Sequence, residues 1–268
     1  MTQSPLPSFS LFPGRRPLLV SVPHAGRYVP PDIARTLAQG PERLPDTDHF
    51  VDRLYGFVRE MGASLLVAHW SRWVVDLNRP PDNAPLYAGQ ATTGLVPHSR
   101  FDGAPIWRAG AEPKAAEIEH RLDQGWLPYH RALEGELKRL RDAFGHVVLW
   151  DGHSIRSRVP RLFDGVLPDL NLGTHSGASC APALRQQVTK RLAALPGWTS
   201  VVDGRFRGGH ITRHYGHPEL CVHALQLELA QTTYLDETTP EPVWEPERAA
   251  PLMRDLRDLL EGVAEWRP

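Results

Sequence analysis

The chain has 268 residues, a formal net charge of −1, two cysteines and 13 histidines. That length can bury one large core or two small ones, and the near-neutral balance gives no push toward nucleic acid or an anionic membrane. Cys180 and Cys221 are too few for a disulfide scaffold, and no apolar run is long enough to span a bilayer. Residues 1–16 lack the charged head and apolar middle of a signal peptide, so a cytoplasmic location is the expectation. The histidine count is the first hint of metal or acid–base chemistry.

Leu18 to Val22 is a β-type apolar run that stops at Pro23 and delivers His24 just before Gly26. Residues 27–44 read as a Pro-rich loop with one short helix. Phe50, Val51, Leu54, Phe57, Val58 and Met61 then recur at helical spacing. They predict a helix capped by Asp46 or Thr47, with Asp48 in its first turn and a stop at Gly62. Residues 64–68 and 73–77 read as two further strands, or one irregular strand. Residues 78–110 have little periodicity; their Trp, Tyr and Phe content favours a packed, functional loop. Residues 113–144 are helical by pattern, and Pro128 is expected to divide them into two helices.

Residues 146–154 repeat the opening motif: Val147, Val148, Leu149 and Trp150 lead into Asp151, Gly152 and His153. Open α/β sheets build their sites at the carboxyl ends of strands, so two strand-end histidines suggest ligands converging on one crevice. Residues 155–177 read as a loop, 184–195 as a helix and 199–202 as a strand. Residues 204–216 form a Gly-, Arg- and His-rich loop, 222–229 an alternating strand, and 246–261 a covering helix. The alternation of strands and helices predicts a single α/β domain over 1–268, with a mixed, mainly parallel sheet flanked by helices.

Two histidines and a carboxylate (His24, His153 and Asp48) suit a zinc centre that keeps its fourth position for water. The same residues can equally make ordinary hydrogen bonds at strand ends and a helix N-terminus. Glu228 sits in an otherwise apolar strand; it is either a paired or proton-transferring carboxylate, or a solvent-facing residue in register with Gln226. Asn78 and Arg79 follow a run read as a strand and can clamp a carboxylate, although a lone arginine there also suits a surface ion pair; Arg72 is a weaker candidate of the same kind. His210 and Arg213 lie in the glycine-rich loop, which can bind an anion or close as a lid. No phosphate-loop ending and no G-x-S-x-G elbow occurs. His130, His175 and His223 read as structural.

Six blocks in order resemble the N-formylglutamate amidohydrolase family. They are Val22 to Gly26, Thr47 to Asp52, Val75 to Arg79, Asp151 to Ser154, Gly208 to Thr212, and Leu225 to Glu228. The resemblance runs from about residue 18 to 237. Thr93-Gly94-Leu95 and Phe101 to Pro105 bring it closest to the histidine-degradation branch of that family. It implies a zinc-dependent exopeptidase-like (phosphorylase/hydrolase-like) fold, and hydrolysis of N-formyl-L-glutamate to formate and L-glutamate as the last step of that route. By position it implies a zinc ion, or another divalent metal, on His24, Asp48 and His153, with Glu228 as the general base. Asp46, Asp48 and Asp52 remain competing carboxylate ligands. Asn78 and Arg79 resemble the carboxylate clamp of zinc carboxypeptidases, and Arg79 and Arg213 are nominated for the two carboxylates of a small acidic substrate. Neither nucleic acid nor membrane is an expected partner, and oligomeric state is left open. Rival readings are a metal amidase for another N-acylated acidic amino acid, a carboxypeptidase-like hydrolase, and a non-catalytic binding protein on the same scaffold.

Overall fold

The apolar runs lie side by side in one seven-stranded sheet. A computed structural model of the chain describes residues 6–85, 92–239 and 241–268. The strands are β1 (Phe9–Phe12), β2 (Leu18–Val22), β3 (Ser64–Ala68), β4 (Val147–Ile155), β5 (Leu170–Gly173), β6 (Ser200–Val202) and β7 (Val222–Ala230). Their order is β1-β3-β2-β4-β7-β5-β6. The run β3-β2-β4-β7 is parallel, β1 and β5 pair antiparallel with β3 and β7, and β6 runs parallel to β5. This is the mixed, mainly parallel α/β sheet the sequence predicts. Every residue of β2, β3, β4, β5 and β7 is buried, as a sheet covered on both faces requires.

Helices are α1 (Pro31–Ala34), α2 (Val51–Leu54), α3 (Ala115–Arg121), α4 (Leu127–Phe144), α5 (Pro182–Ala194), α6 (His210–Tyr215) and α7 (Pro246–Glu265). One sheet face carries Val20, Val22, Trp150, Leu225, Leu227 and Leu229, covered by Leu184, Val188 and Leu192 of α5 and by Leu252, Leu256 and Leu259 of α7. The other face carries Leu19, Leu66, Leu149 and Ala224 against Tyr129, Leu133, Leu137 and Leu140 of α4. Their spacing puts those α4 side chains on one stripe, each worth about 1.5–3 kcal/mol for large apolar groups fully buried.

That second face changes character toward the carboxyl ends of the strands. Leu19, Leu149 and Ala224 lie in register, and two residues on Ser21, Asp151 and Gln226 do too. Two further on, His153 pairs with Glu228. The period of two along a strand thus carries one face from an aliphatic core into a polar floor. Gly152, between Asp151 and His153, points to the opposite face, where an added Cβ would come within 2.6 Å of the Tyr55 ring. A side chain there has no room.

Five local expectations change. Residues 73–77 form turns rather than a strand, because the Asp76 carboxylate accepts the backbone N–H of Asn78 at 2.9 Å and diverts the chain. The helix expected from Asp46 to Gly62 is only α2 followed by a 3₁₀ turn (Gly56–Val58). Phe50 sits at φ 60 ahead of α2, and Gly56 interrupts the pattern. Pro128 does not separate two helices: α3 and α4 are joined through a π turn, Leu122–Trp126, in which the Leu127 N–H reaches the Leu122 carbonyl. The wide turn absorbs the proline at the start of α4. The 204–216 loop is partly helical, its second half being α6, and the loop after β4 contains β5. Residues 86–91 of the predicted 78–110 loop lie outside the described residues; within the rest, Leu95, Val96, Ile106 and Trp107 are buried.

Candidate active site

His24 lies two residues beyond β2, His153 lies on β4, and Asp48 is carried to them by the loop before α2. One ligand atom from each falls within 4.8 Å of the others, and all three residues are buried. Asp48 N donates to the His24 carbonyl at 3.1 Å, which fixes the loop against the end of β2. Asp48 Oδ2 stands 2.9 Å from His153 Nδ1 and 3.8 Å from His24 Nδ1. Of the three competing carboxylates, only Asp48 joins the histidines. Asp46 accepts instead from Trp73 Nε1 and the Phe101 N–H, both at 3.1 Å, and Asp52 is exposed.

A second ring of acids orients the first. His24 Nε2 meets Asp76 Oδ1 at 2.7 Å, while His153 Nε2 lies 3.0 Å from Asp151 Oδ2 and 2.8 Å from the Asn78 amide. Carboxylates on the far nitrogens leave both Nδ1 atoms facing the centre, as metal-ligating histidines require. Arg72 bridges the acids, donating to Asp76 Oδ2 at 2.7 Å and standing 3.6 Å from Asp48 Oδ1. Asp151 also receives the Asn78 amide at 3.1 Å, and Ser21 Oγ shares a 2.9 Å hydrogen bond with Tyr129.

The donor set fits a divalent metal. His24 Nδ1 and Asp48 Oδ1 are buried polar atoms with no hydrogen-bond partner among the described residues. Ligands held by tetrahedral zinc at about 2.0–2.1 Å stand roughly 3.3 Å apart, between the 2.9 and 3.8 Å separations found around Asp48 Oδ2. Two imidazoles and a carboxylate are borderline N/O donors suited to zinc. The electrostatics favour a cation: against the cost of burial, Asp151 and Asp48 hold the His153 pKa well above its usual value. Burial and the Arg72 guanidinium keep His24 neutral by lowering its pKa. Burial works against an ionised Asp48 as well, but the His153 hydrogen bond and the nearby cations keep its pKa low.

Glu228 faces His153 across the β4–β7 pair and is 7% exposed. It is not solvent-facing. Burial pushes its pKa up to about 8, an effect moderated by His153 and reinforced by Asp48. Gln226 Nε2 donates to Glu228 Oε2 at 3.3 Å and Gln226 Oε1 accepts the Gly209 N–H at 2.7 Å, tying the strand to the segment before α6. Gly209 has no room for a side chain, since a Cβ would come within 2.5 Å of the Asn78 amide.

The cavity over these groups is lined by His24, His153, Glu228 and Asn78, with Arg72, Arg79 and Arg205 among its walls. Arg79 is braced by Thr93, its Nε donating to the carbonyl at 2.7 Å and its Nη2 to Oγ1 at 2.9 Å. His210 and Arg213 are not part of that lining. His210 stacks on His214 with ring centroids 4.9 Å apart, and Arg213 Nε donates to the Gly208 carbonyl at 2.8 Å. Asp76, Asp151 and Arg205 were not singled out from the sequence. Asp151 lies two residues before His153 on the same strand face, which is a legible signal, whereas nothing in the sequence sets Arg205 apart from Arg207 and Arg213 in the same segment. A larger cavity of about 780 Å³ lies beyond Phe101 and includes none of His24, Asp48 or His153.

Residues 16–235 match the model of the N-formylglutamate amidohydrolase family. The chain is 52% identical over 253 residues to an N-formylglutamate deformylase of Pseudomonas aeruginosa, covering 94% of each chain. It is 49% identical over 257 residues to an N-formylglutamate deformylase of Pseudomonas putida, covering 96% of each. The crystal structure of N-formylglutamate amidohydrolase from Ralstonia eutropha JMP134 superposes with a TM-score of 0.82 at 29% identity, over 97% of this chain and 98% of that one. The buried histidine–carboxylate centre therefore lies within the segment that defines these relatives, and the chain belongs to the N-formylglutamate amidohydrolase family.

Proposed function

We propose that this chain hydrolyses N-formyl-L-glutamate to formate and L-glutamate, with His24, Asp48 and His153 holding a zinc or similar divalent ion and Glu228 moving the proton. The observation that carries this reading is the register of β4 and β7, which sets Glu228 beside His153 at the floor of a cavity that also contains His24. The relatives that share about half of its residues are N-formylglutamate deformylases, which supports the substrate. The sheet, with its ligands at the carboxyl ends of parallel strands, suits a zinc-dependent exopeptidase-like fold.

Bound at the triad, the metal supplies Lewis acidity toward the formyl oxygen and acidifies water at the centre. Glu228 is placed to take the proton of the attacking water and to pass it to the departing glutamate nitrogen. Its raised pKa of about 8 belongs to the metal-free arrangement; a nearby dication favours the carboxylate and lowers it. Asp76 and Asp151 hold the imidazoles in the tautomer that presents Nδ1. Asn78 and Arg79 stand at the cavity wall, where a planar guanidinium can grip a substrate carboxylate. His210 and Arg213 act from behind this wall, where the Ile211 N–H donates to Asn78 Oδ1 at 2.8 Å.

Two free cysteines suit a reducing compartment, which supports a cytoplasmic enzyme closing a histidine-degradation route. No helix among the described residues is long and apolar enough to cross a membrane. The test is L-glutamate release by the purified protein from N-formyl-L-glutamate and from N-formimino- and N-acetyl-L-glutamate. Release from the formyl compound at a kcat/KM well above the others is the expected result. Preference for either other compound would move the assignment to a different N-acyl group, and turnover of none would leave a binding role.

A further inference from the structure

Three guanidinium groups reach the cavity, and they are not equivalent. Arg72 is 8% exposed and is engaged by Asp76 and Asp48, so its charge is spent on the buried acids beneath the site. Arg79 is adjacent to Asn78, whose amide touches both His153 and Asp151. It therefore stands one residue from the ring of groups around the proposed metal. Arg205 arrives from elsewhere in the sheet, on the loop between edge strand β6 and α6. Its Nε donates to the Leu162 carbonyl at 2.7 Å and its guanidinium lies 5.3 Å from the Phe206 ring centre, which anchors it on the Leu162–Phe206 side of the cavity. Phe101, Ile155, Leu162 and Phe206 give the same cavity an apolar lining.

The substrate class divides in the same way. In an N-formyl amino acid the α-carboxylate sits on the carbon bonded to the scissile nitrogen, so it must lie close to the reacting centre. The side-chain carboxylate of glutamate is two methylenes further out and needs an apolar stretch followed by a second cation. We propose that Arg205 reads this side-chain carboxylate, and thereby makes the enzyme selective for N-formyl dicarboxylic amino acids over their neutral analogues. This rests on the deformylase reading above and adds the residue that sets its specificity. Asn78 and Arg79 then take the α-carboxylate common to all N-formyl amino acids. A guanidinium fork committed to a carboxylate discriminates strongly against a carboxamide of the same shape, which offers one acceptor and brings unwanted donors.

The test compares kcat/KM for N-formyl-L-glutamate and N-formyl-L-glutamine in the wild type, Arg205→Gln, Arg205→Lys and Arg79→Gln. The wild type is expected to prefer the glutamate compound. In Arg205→Gln that preference falls by at least about tenfold, the value of one charge-assisted hydrogen bond, with the loss appearing mainly in KM. Arg205→Lys keeps part of the preference, which separates loss of the charge from loss of the fold. Arg79→Gln lowers kcat/KM for both compounds together and leaves their ratio alone. An unchanged ratio in Arg205→Gln, a ratio that collapses in Arg79→Gln instead, or a wild type indifferent to the side-chain charge would each overturn the assignment. A wild type that turns over neither compound would overturn the deformylase reading itself, a result distinct from the other three.

Discussion

Replacing Asp76 with asparagine isolates the contribution of a residue that touches no substrate. Asp76 is fully buried and accepts from His24 Nε2 at 2.7 Å, Arg72 Nη2 at 2.7 Å and the Asn78 N–H at 2.9 Å. A carboxamide of the same size keeps a single acceptor oxygen and presents its NH₂ to a neighbour that is itself a donor. At least one charge-assisted hydrogen bond is lost, worth about 1.5–3 kcal/mol. Arg72 keeps only the longer 3.6 Å contact with Asp48. Unfolding of the metal-free protein in urea should therefore become easier by about 2–4 kcal/mol. Because the oxygen left to His24 belongs to a neutral amide and no longer to a carboxylate, the imidazole becomes a weaker ligand and zinc affinity should fall by about 10–100-fold, or roughly 1.4–2.7 kcal/mol. Competition with a chromophoric chelator at neutral pH measures the second quantity directly. Asp46→Asn, altering a buried carboxylate of the same region that bonds to Trp73 and Phe101, should leave zinc affinity unchanged. Wild-type affinity in Asp76→Asn would refute the orienting role, and a loss confined to Asp46→Asn would also shift the ligand assignment away from Asp48.

Glu228→Gln should retain metal and fold while losing about 10²–10⁴-fold in kcat, as expected for a missing proton carrier, and steady-state kinetics on the metal-loaded variant checks it. Full activity would remove Glu228 from the mechanism. Arg79→Ala should raise KM for N-formyl-L-glutamate far more than it lowers kcat; an unchanged KM would remove the clamp. Burial pushes the pKa of His130 down to about 3 and that of His223 to about 4. Each nitrogen left to accept a hydrogen bond, from Tyr215 at 2.9 Å or the Ala181 N–H at 3.2 Å, favours the neutral ring. The unfolded chain titrates near about 6.5 and binds more protons below that pH, so this stabilisation is complete above pH 6.5 and declines as pH falls. His130 alone contributes a loss of about 2 kcal/mol at pH 5. Urea midpoints at pH 7.5 and 5 test this, and His130→Gln should flatten the dependence.

Strands β2 and β4 were legible because burial on both faces favours continuous apolar runs, and β7 by its alternation, whereas β5 lies in a stretch read as a loop. The polar residues interrupting them marked the floor of the site: Asp151 and His153 on one strand, Gln226 and Glu228 on the next. What the sequence concealed was of three kinds. Residues 73–77 have strand-like composition, yet Asp76 is committed to His24 and Arg72, and a side chain tied to a distant partner overrides local propensity. Pro128 is a breaker in isolation, but a π turn before it removes the demand for its missing N–H, and that turn also brings the Trp126 indole onto the Arg79 carbonyl at 2.9 Å. Arg213 and Arg205 lie in one arginine-rich segment, and only the start of α6 between them decides which reaches the cavity. Periodicity finds faces; it does not show where a loop places a long, flexible cation.

The proposed mechanism requires one metal ion at His24, Asp48 and His153 for formyl hydrolysis. Stripping the protein with chelator and titrating zinc back, while recording formate release from N-formyl-L-glutamate, tests it most directly. Activity should be absent in the stripped protein and rise in proportion to added zinc, ending at one equivalent per chain, with that recovery lost in His24→Ala and His153→Ala. Full activity after complete removal of metal, or an unaltered zinc titration in both histidine variants, would contradict it.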